Sequence, residues 1–177
     1  MNIKKWQILG GVAVAVIVSI ILFLFIFVFD RDIDETFEDI IAAHKGDPRA
    51  TFPDTIANGE FMGTEENFAA GSVRFIKFGE YYYLRFENGF KVLRSLDSHI
   101  YLGSDDYYGE DARIAKLKGN AGDQNYLIPA NISPLEYSRV WIWSKSQETV
   151  LGSAPLNPTK ILPAHDVERS KLEENAG

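Results

Sequence analysis

Leu117 to Pro129 reads LKGNAGDQNYLIP. The first half is too rich in Gly, Asn and Asp for a helix, yet it closes on the apolar run Tyr126-Leu127-Ile128. Gly119, Asn120, Gly122 and Asp123 adopt sparsely populated backbone conformations readily and bond their own backbone, so a tight multiple turn is expected. Gln124 and Asn125 add amide donors and acceptors beside it. A strand is expected to begin at Tyr126 and to stop at Pro129. Two readings stay open for this stretch: a rigid corner joining two strands, or a ligand site. Asn and Asp in turns ordinarily bond backbone, which favours the corner.

Outward from the corner, the chain reads as short strands between turns. Upstream, Val73, Phe75 and Phe78 lie between Gly71 and Gly79. Tyr82, Leu84 and Phe86 alternate with Tyr81, Tyr83 and Arg85, the period of a half-buried strand. Asn88-Gly89 carries the signal of a hairpin turn. Ile100 and Leu102 oppose Tyr101, and Ile114 precedes the corner. Downstream, Val140 and Ile142 share one strand face and Trp141 and Trp143 the other, and Thr149 to Ala154 forms a last strand. This spacing predicts an all-β fold, an antiparallel sandwich or barrel. We take it as a small antiparallel β-sandwich over residues 58–156.

Two segments precede that domain. Ile8 to Phe29 is a run of 22 residues without a charge, roughly 33 Å as a helix and long enough to span a bilayer. It ends in bulky Phe-Leu-Phe-Ile-Phe-Val-Phe, unlike a cleavable signal peptide. An uncleaved transmembrane helix over 8–29 is therefore expected, embedded in membrane lipid. Lys4 and Lys5 flank one side and Asp30, Asp32, Asp34 and Glu35 the other. The positive-inside rule keeps residues 1–7 in the cytoplasm and the C-terminal domain outside, as a single-pass plasma membrane protein. Residues 30–57 read as a short stalk helix and linker: Asp32 or Asp34 as cap, then Ile33, Phe37, Ile40, Ile41 and His44 on one face. That helix either lies near the membrane or packs on the domain. The Pro-containing, charged residues 157–177 read as a disordered tail.

Charge and composition exclude several functions. The net charge is −7, and two of the 18 basic residues lie in residues 1–29. The rest holds 16 bases against 25 acids, a balance of −9, which excludes nucleic acid as a partner. No cysteine is present, so thiol and disulfide chemistry is excluded. Three scattered histidines do not suggest a zinc centre.

The order of several short motifs resembles the electron-transfer DM-thirteen domain, a small all-β extracellular module. They are Gly59-Glu60-Phe61, Ala70-Gly71-Ser72-Val73, Leu84-Arg85-Phe86-Glu87, and His99-Ile100-Tyr101-Leu102-Gly103. The most specific is Leu117-Lys118-Gly119 with Gly122-Asp123-Gln124-Asn125-Tyr126 and Pro129. Val140-Trp141-Ile142-Trp143 and Gly152-Ser153-Ala154-Pro155-Leu156 complete the set. The resemblance implies electron transfer, alone or beside haem-binding DOMON domains, through a cysteine just after the tryptophan of the Val140–Trp143 strand. That position is Ser144 here. A serine hydroxyl neither cycles through thiol oxidation nor ligates haem iron as a thiolate does.

Asp105, Asp106, Glu110 and Asp111 are candidate calcium ligands, although their spacing is not that of an EF-hand. Trp143, Tyr107 and Tyr108 are candidate contacts for a protein or glycan partner, and Tyr81 and Tyr83 a candidate exposed face. Cross-strand packing is the plainer account of such rings. No Gly-x-Ser-x-Gly elbow supports a hydrolase built on Ser144 and a histidine. The expectation is a non-enzymatic, membrane-anchored, extracytoplasmic interaction module without a cofactor. The alternative is an electron-transfer protein that uses a haem or a redox partner.

Overall fold

The structure, a computed structural model, describes residues 11–22 and 31–159. Residues 11–22 are helical (α1) and exposed throughout. Among the described residues, no helix is long and apolar enough to cross a membrane. The two ends of the span expected over 8–29, and the tail from residue 160, lie outside the described residues.

From residue 31 the elements are β1 (Asp32–Asp34), α2 (Phe37–Ala43), β2 (Pro53–Glu60), β3 (Ala69–Phe78), β4 (Tyr81–Val92) and β5 (Ser98–Gly103). They continue as β6 (Tyr108–Lys116), β7 (Ala121–Leu127), β8 (Arg139–Ser144), β9 (Thr149–Pro155) and β10 (Asn157–Pro158). Two sheets result, in the orders β1-β7-β4-β3-β2-β10 and β6-β5-β8-β9. The fold is all-β. Neighbours pair antiparallel except β1, which joins the edge of β7 in parallel. The core lies between the sheets. Val73, Phe75, Leu84, Phe86 and Tyr126 from the first meet Ile100, Leu102, Val140, Ile142 and Leu151 from the second. The alternation of Val140 and Ile142 with Trp141 and Trp143 is the expected one, with the aliphatic pair buried and the indoles half-buried.

The stalk differs from its expected form. Asp32, Ile33 and Asp34 are paired strand, so the helix begins only at Phe37. Its cap is Thr36, whose N–H donates to the Asp39 carboxylate at 2.7 Å. The helix packs on the domain, where Ile40 joins Ile76, Phe78 and Tyr83 on the outer face of the first sheet. Burying Ile40, 1% exposed, contributes about 1.5–3 kcal/mol. His44 at the helix end bonds the Tyr83 hydroxyl and stacks on Tyr81 at 4.0 Å between centroids. Tyr81 and Tyr83 therefore do not form an exposed face: α2 covers them, and Tyr83 is buried.

Three other boundaries move. Pro53–Glu60, read in large part as linker, is strand β2. Asn157–Pro158, read as tail, pairs with Asn58 and Ala57. Asn88-Gly89 makes a bulge and not a hairpin. Both residues have positive φ (55° and 74°), and the β3 register steps from Ser72–Glu87 to Ala70–Lys91 across them. A hairpin would send the chain back along itself, whereas both flanks here pair with β3. The hairpin joining β3 to β4 is the two-residue link Gly79-Glu80, between the paired Phe78 and Tyr81.

Candidate functional site

The corner read first from the sequence connects the sheets, with β6 of one ending at Lys116 and β7 of the other beginning at Ala121. The turn is shorter than expected: Gly122, Asp123, Gln124 and Asn125 already belong to β7. Successive strand residues face opposite sides, so this motif splits into two sets.

Gln124 and Tyr126 face inward. Gln124 is fully buried, and its amide closes the corner. Its Oε1 accepts the Gly119 N–H at 3.0 Å, and its Nε2 donates to the carbonyls of Gly119 and Ala121 at 3.1 Å. The Tyr126 hydroxyl donates to the same Oε1 and accepts the Lys118 N–H at 2.9 Å. Burial pushes the Tyr126 phenol well above its ordinary pKa. The corner is thus held by its own polar side chains, and these atoms are engaged within the protein.

Asp123 and Asn125 face outward and meet Arg85 of β4. The Arg85 side chain is only 7% exposed. It donates to Asp123 at 2.6 Å, to Glu87 at 2.8 Å, to the Asn125 side chain at 2.8 Å and to the Glu35 backbone carbonyl at 2.8 Å. Asn125 donates from its side chain to the Thr36 carbonyl at 2.7 Å, and its backbone N–H donates to the Glu35 carboxylate at 2.7 Å. Lys118 closes the ring, with its ammonium 2.7 Å from both Glu35 oxygens. At the other end of β1, the Arg31 N–H donates to Asn120 Oδ1 at 3.0 Å. Two glycines make room for this segment. A Cβ on Gly119 would stand 2.3 Å from the Arg31 carbonyl oxygen, and one on Gly122 2.0 Å from that of Ile33. The outward half of the motif is therefore a clasp on residues 31–36. Sequence reasoning singled out Asp123 and Asn125 but missed Arg85, Glu35 and Lys118 as their partners. The available signal was an arginine on a strand face otherwise held by Tyr81 and Tyr83.

Ser144 ends β8 with its side chain fully buried on the core side. Its hydroxyl lies 2.6 Å from that of Ser95 and accepts the Gln147 N–H at 3.2 Å. His99 pairs with Trp143 across the strands, so it faces the opposite side of the sheet and does not approach Ser144. Burial lowers the His99 pKa. On that outer face, Trp143 contacts Tyr108 at 5.1 Å and Tyr108 contacts Tyr101 at 5.0 Å, each pair tilted. Trp143 and Tyr108 are thus brought together. Tyr107 stands on the loop between β5 and β6, 66% exposed. Of the four calcium candidates, Asp105 pairs with Arg139 at 3.1 Å and Glu110 and Asp111 lie exposed on β6. Among the described residues, no three acidic or histidine side chains gather as a metal cage, Asp105, Asp106, Glu110 and Asp111 included.

Fold and site together define a small two-sheet β module whose polar corner clasps the segment before it. The family model described as Electron transfer DM13 matches residues 60–156, and the chain belongs to that family. No curated protein and no solved structure matches the chain.

Proposed function

We propose that the chain is a non-enzymatic interaction module of the DM13 family, anchored in the plasma membrane by residues 8–29 and displayed outside the cytoplasm. The observation that carries the anchored reading is the clasp. Residues 31–36, directly after the apolar run, are fixed to the domain by Arg85, Asp123, Asn125 and Lys118. A domain built onto its own N-terminal approach suits a fixed attachment at that end. The family's thiol chemistry is absent from this reading because Ser144 stands at the cysteine position that the resemblance implies. Its hydroxyl is already engaged by Ser95 and the Gln147 N–H. Partner contact is assigned to the exposed Tyr107 and the adjoining Tyr108–Trp143 face, with a protein or glycan as partner.

Two measurements test this. Protease added to intact cells should remove the domain and spare the N-terminus; protection until lysis would reverse the orientation. Spectro-electrochemistry of the purified domain, with and without added haem, should give neither a reversible wave nor a Soret band. A Soret band that saturates at one haem per chain and vanishes in Ser144→Ala would replace this reading with electron transfer.

A further inference from the structure

We infer that the pole of the sandwich where β1 begins is seated on the bilayer surface, with Phe68, Leu93 and Leu96 in the headgroup layer. This rests on the reading of residues 8–29 as an anchor. The first argument is the length of the tether. Only residue 30 separates Phe29 from Arg31, whose N–H is held by Asn120, while Asp32 is in register with Ala121. A residue spans at most about 3.6 Å, so the two steps from Phe29 hold this pole within about 7 Å of the end of the apolar run. The clasp on residues 31–36 stops the domain from swinging away on a loose stalk.

The second argument is which loops share that pole. Lys91 pairs with Ala121 and Ala69 with Val92, which places the end of β4 and the start of β3 beside the start of β7. The Leu93 N–H donates to the Phe68 carbonyl at 3.0 Å, joining the two loops. Phe68 is 59% exposed, Leu93 42% and Leu96 61%. Apolar side chains on loops that face a headgroup layer find there the environment they lack in water.

The third argument is charge. In a domain that is acidic as a whole, Arg31, Lys91, Arg94 and Lys145 lie on this pole, the first two beside the start of β7 and the others on the loops after β4 and β8. Asp32, Glu65, Glu66, Asp97 and Glu148 share it, so the pole mixes both signs. The opposite pole carries Glu80, Asp105, Asp106 and Glu136 together with Arg49 and Arg139. Lys91 and Arg94 flank Leu93, where an anionic headgroup can meet them. The Leu93-Arg94-Ser95-Leu96 loop, with Lys91 before it, combines both features on one short segment.

The absence of cysteine from the chain supplies the test. Full-length chain carrying Phe68→Cys, Leu93→Cys or Leu96→Cys is labelled with an environment-sensitive fluorophore and inserted into phosphatidylcholine–phosphatidylglycerol vesicles. Asp106→Cys, at the far pole, is the reference. Labels at 68, 93 and 96 should be quenched several-fold more by a shallow lipid-borne nitroxide than the label at 106. The three positions are exposed, so one that disturbs folding leaves two that read the same contact. A chain that stays integral in alkaline carbonate, but whose labels are quenched no more than the one at 106, overturns the seat alone. Labels shielded from aqueous quencher yet untouched by the lipid nitroxide also overturn it, in favour of a protein partner. A chain stripped off by carbonate overturns the anchor and the seat together.

Discussion

Arg85→Met removes the hub of the clasp while keeping most of the side chain's volume. In the native protein the guanidinium satisfies two carboxylates, one side-chain carbonyl and one backbone carbonyl, with bonds of 2.6–2.8 Å. Glu87 retains Arg74 as a partner at 2.6 Å, but Asp123 loses its charged partner and the Asn125 and Glu35 oxygens lose a donor. Breaking a buried ion pair from one side costs about 3–5 kcal/mol. At a urea slope of about 1.5 kcal/mol per molar, the midpoint should fall by roughly 2–3 M. The assay is urea unfolding of residues 31–177, followed by tryptophan fluorescence. The same substitution is then made in a chain starting at residue 37. With Glu35 and Thr36 gone, the cost should shrink by about 1–2 kcal/mol, the coupling expected for groups in one network. A loss below about 1 kcal/mol in the longer chain, or equal losses in both, would refute the clasp as described.

Three further outcomes follow from the same geometry. Gly122→Ala should detach β1, because its Cβ would meet the Ile33 oxygen at 2.0 Å and its φ is +84°; hydrogen exchange at the strand's amides should rise while the core stays protected. Tyr126→Phe should cost about 1–2 kcal/mol by urea unfolding, since it takes a donor from the buried Gln124 Oε1 and the acceptor from the part-buried Lys118 N–H. It should also lessen the alkaline loss of stability: the unfolded phenol ionises near pH 10 while burial holds the folded one higher, so stability falls as pH rises past about 10. His99 works in the opposite sense. Its folded pKa is lowered, so the stability it contributes is complete above the unfolded value of about 6.5 and is lost as pH falls through the folded value. His99→Gln should flatten that part of an acid titration followed by thermal melting.

Much of the fold was legible because its signals are local. The alternation in Val140-Trp141-Ile142-Trp143 and in Ile100-Tyr101-Leu102 reports a strand with one face in the core, and β8 and β5 are such strands. The corner was legible as a self-bonded turn for the same reason, since Gln124 reaches residues only two to five positions away. What escaped depends on distant segments. Tyr83 and Arg85 look solvent-facing from the β4 sequence alone, and they are buried only because residues 31–44 fold back over that sheet. No pattern within Tyr81–Glu87 encodes that cover. Asn88-Gly89 misled for a related reason: positive φ at both residues suits a tight turn and a bulge equally, and the choice rests on which strand lies alongside.

The parallel pairing of β1 has a mechanical meaning. The chain arrives at one pole and runs along the strand axis, in register with β7 from Asp32–Ala121 to Asp34–Asp123. A pull on the N-terminus, against a load gripped at the far pole, acts along that axis. It shears the ladder, so its hydrogen bonds and the Glu35–Lys118 and Asn125–Thr36 contacts bear force together. A hairpin attached at that edge would peel open one bond at a time. The short edge strand thus acts as a lap joint, suited to a domain that is loaded through its N-terminal end.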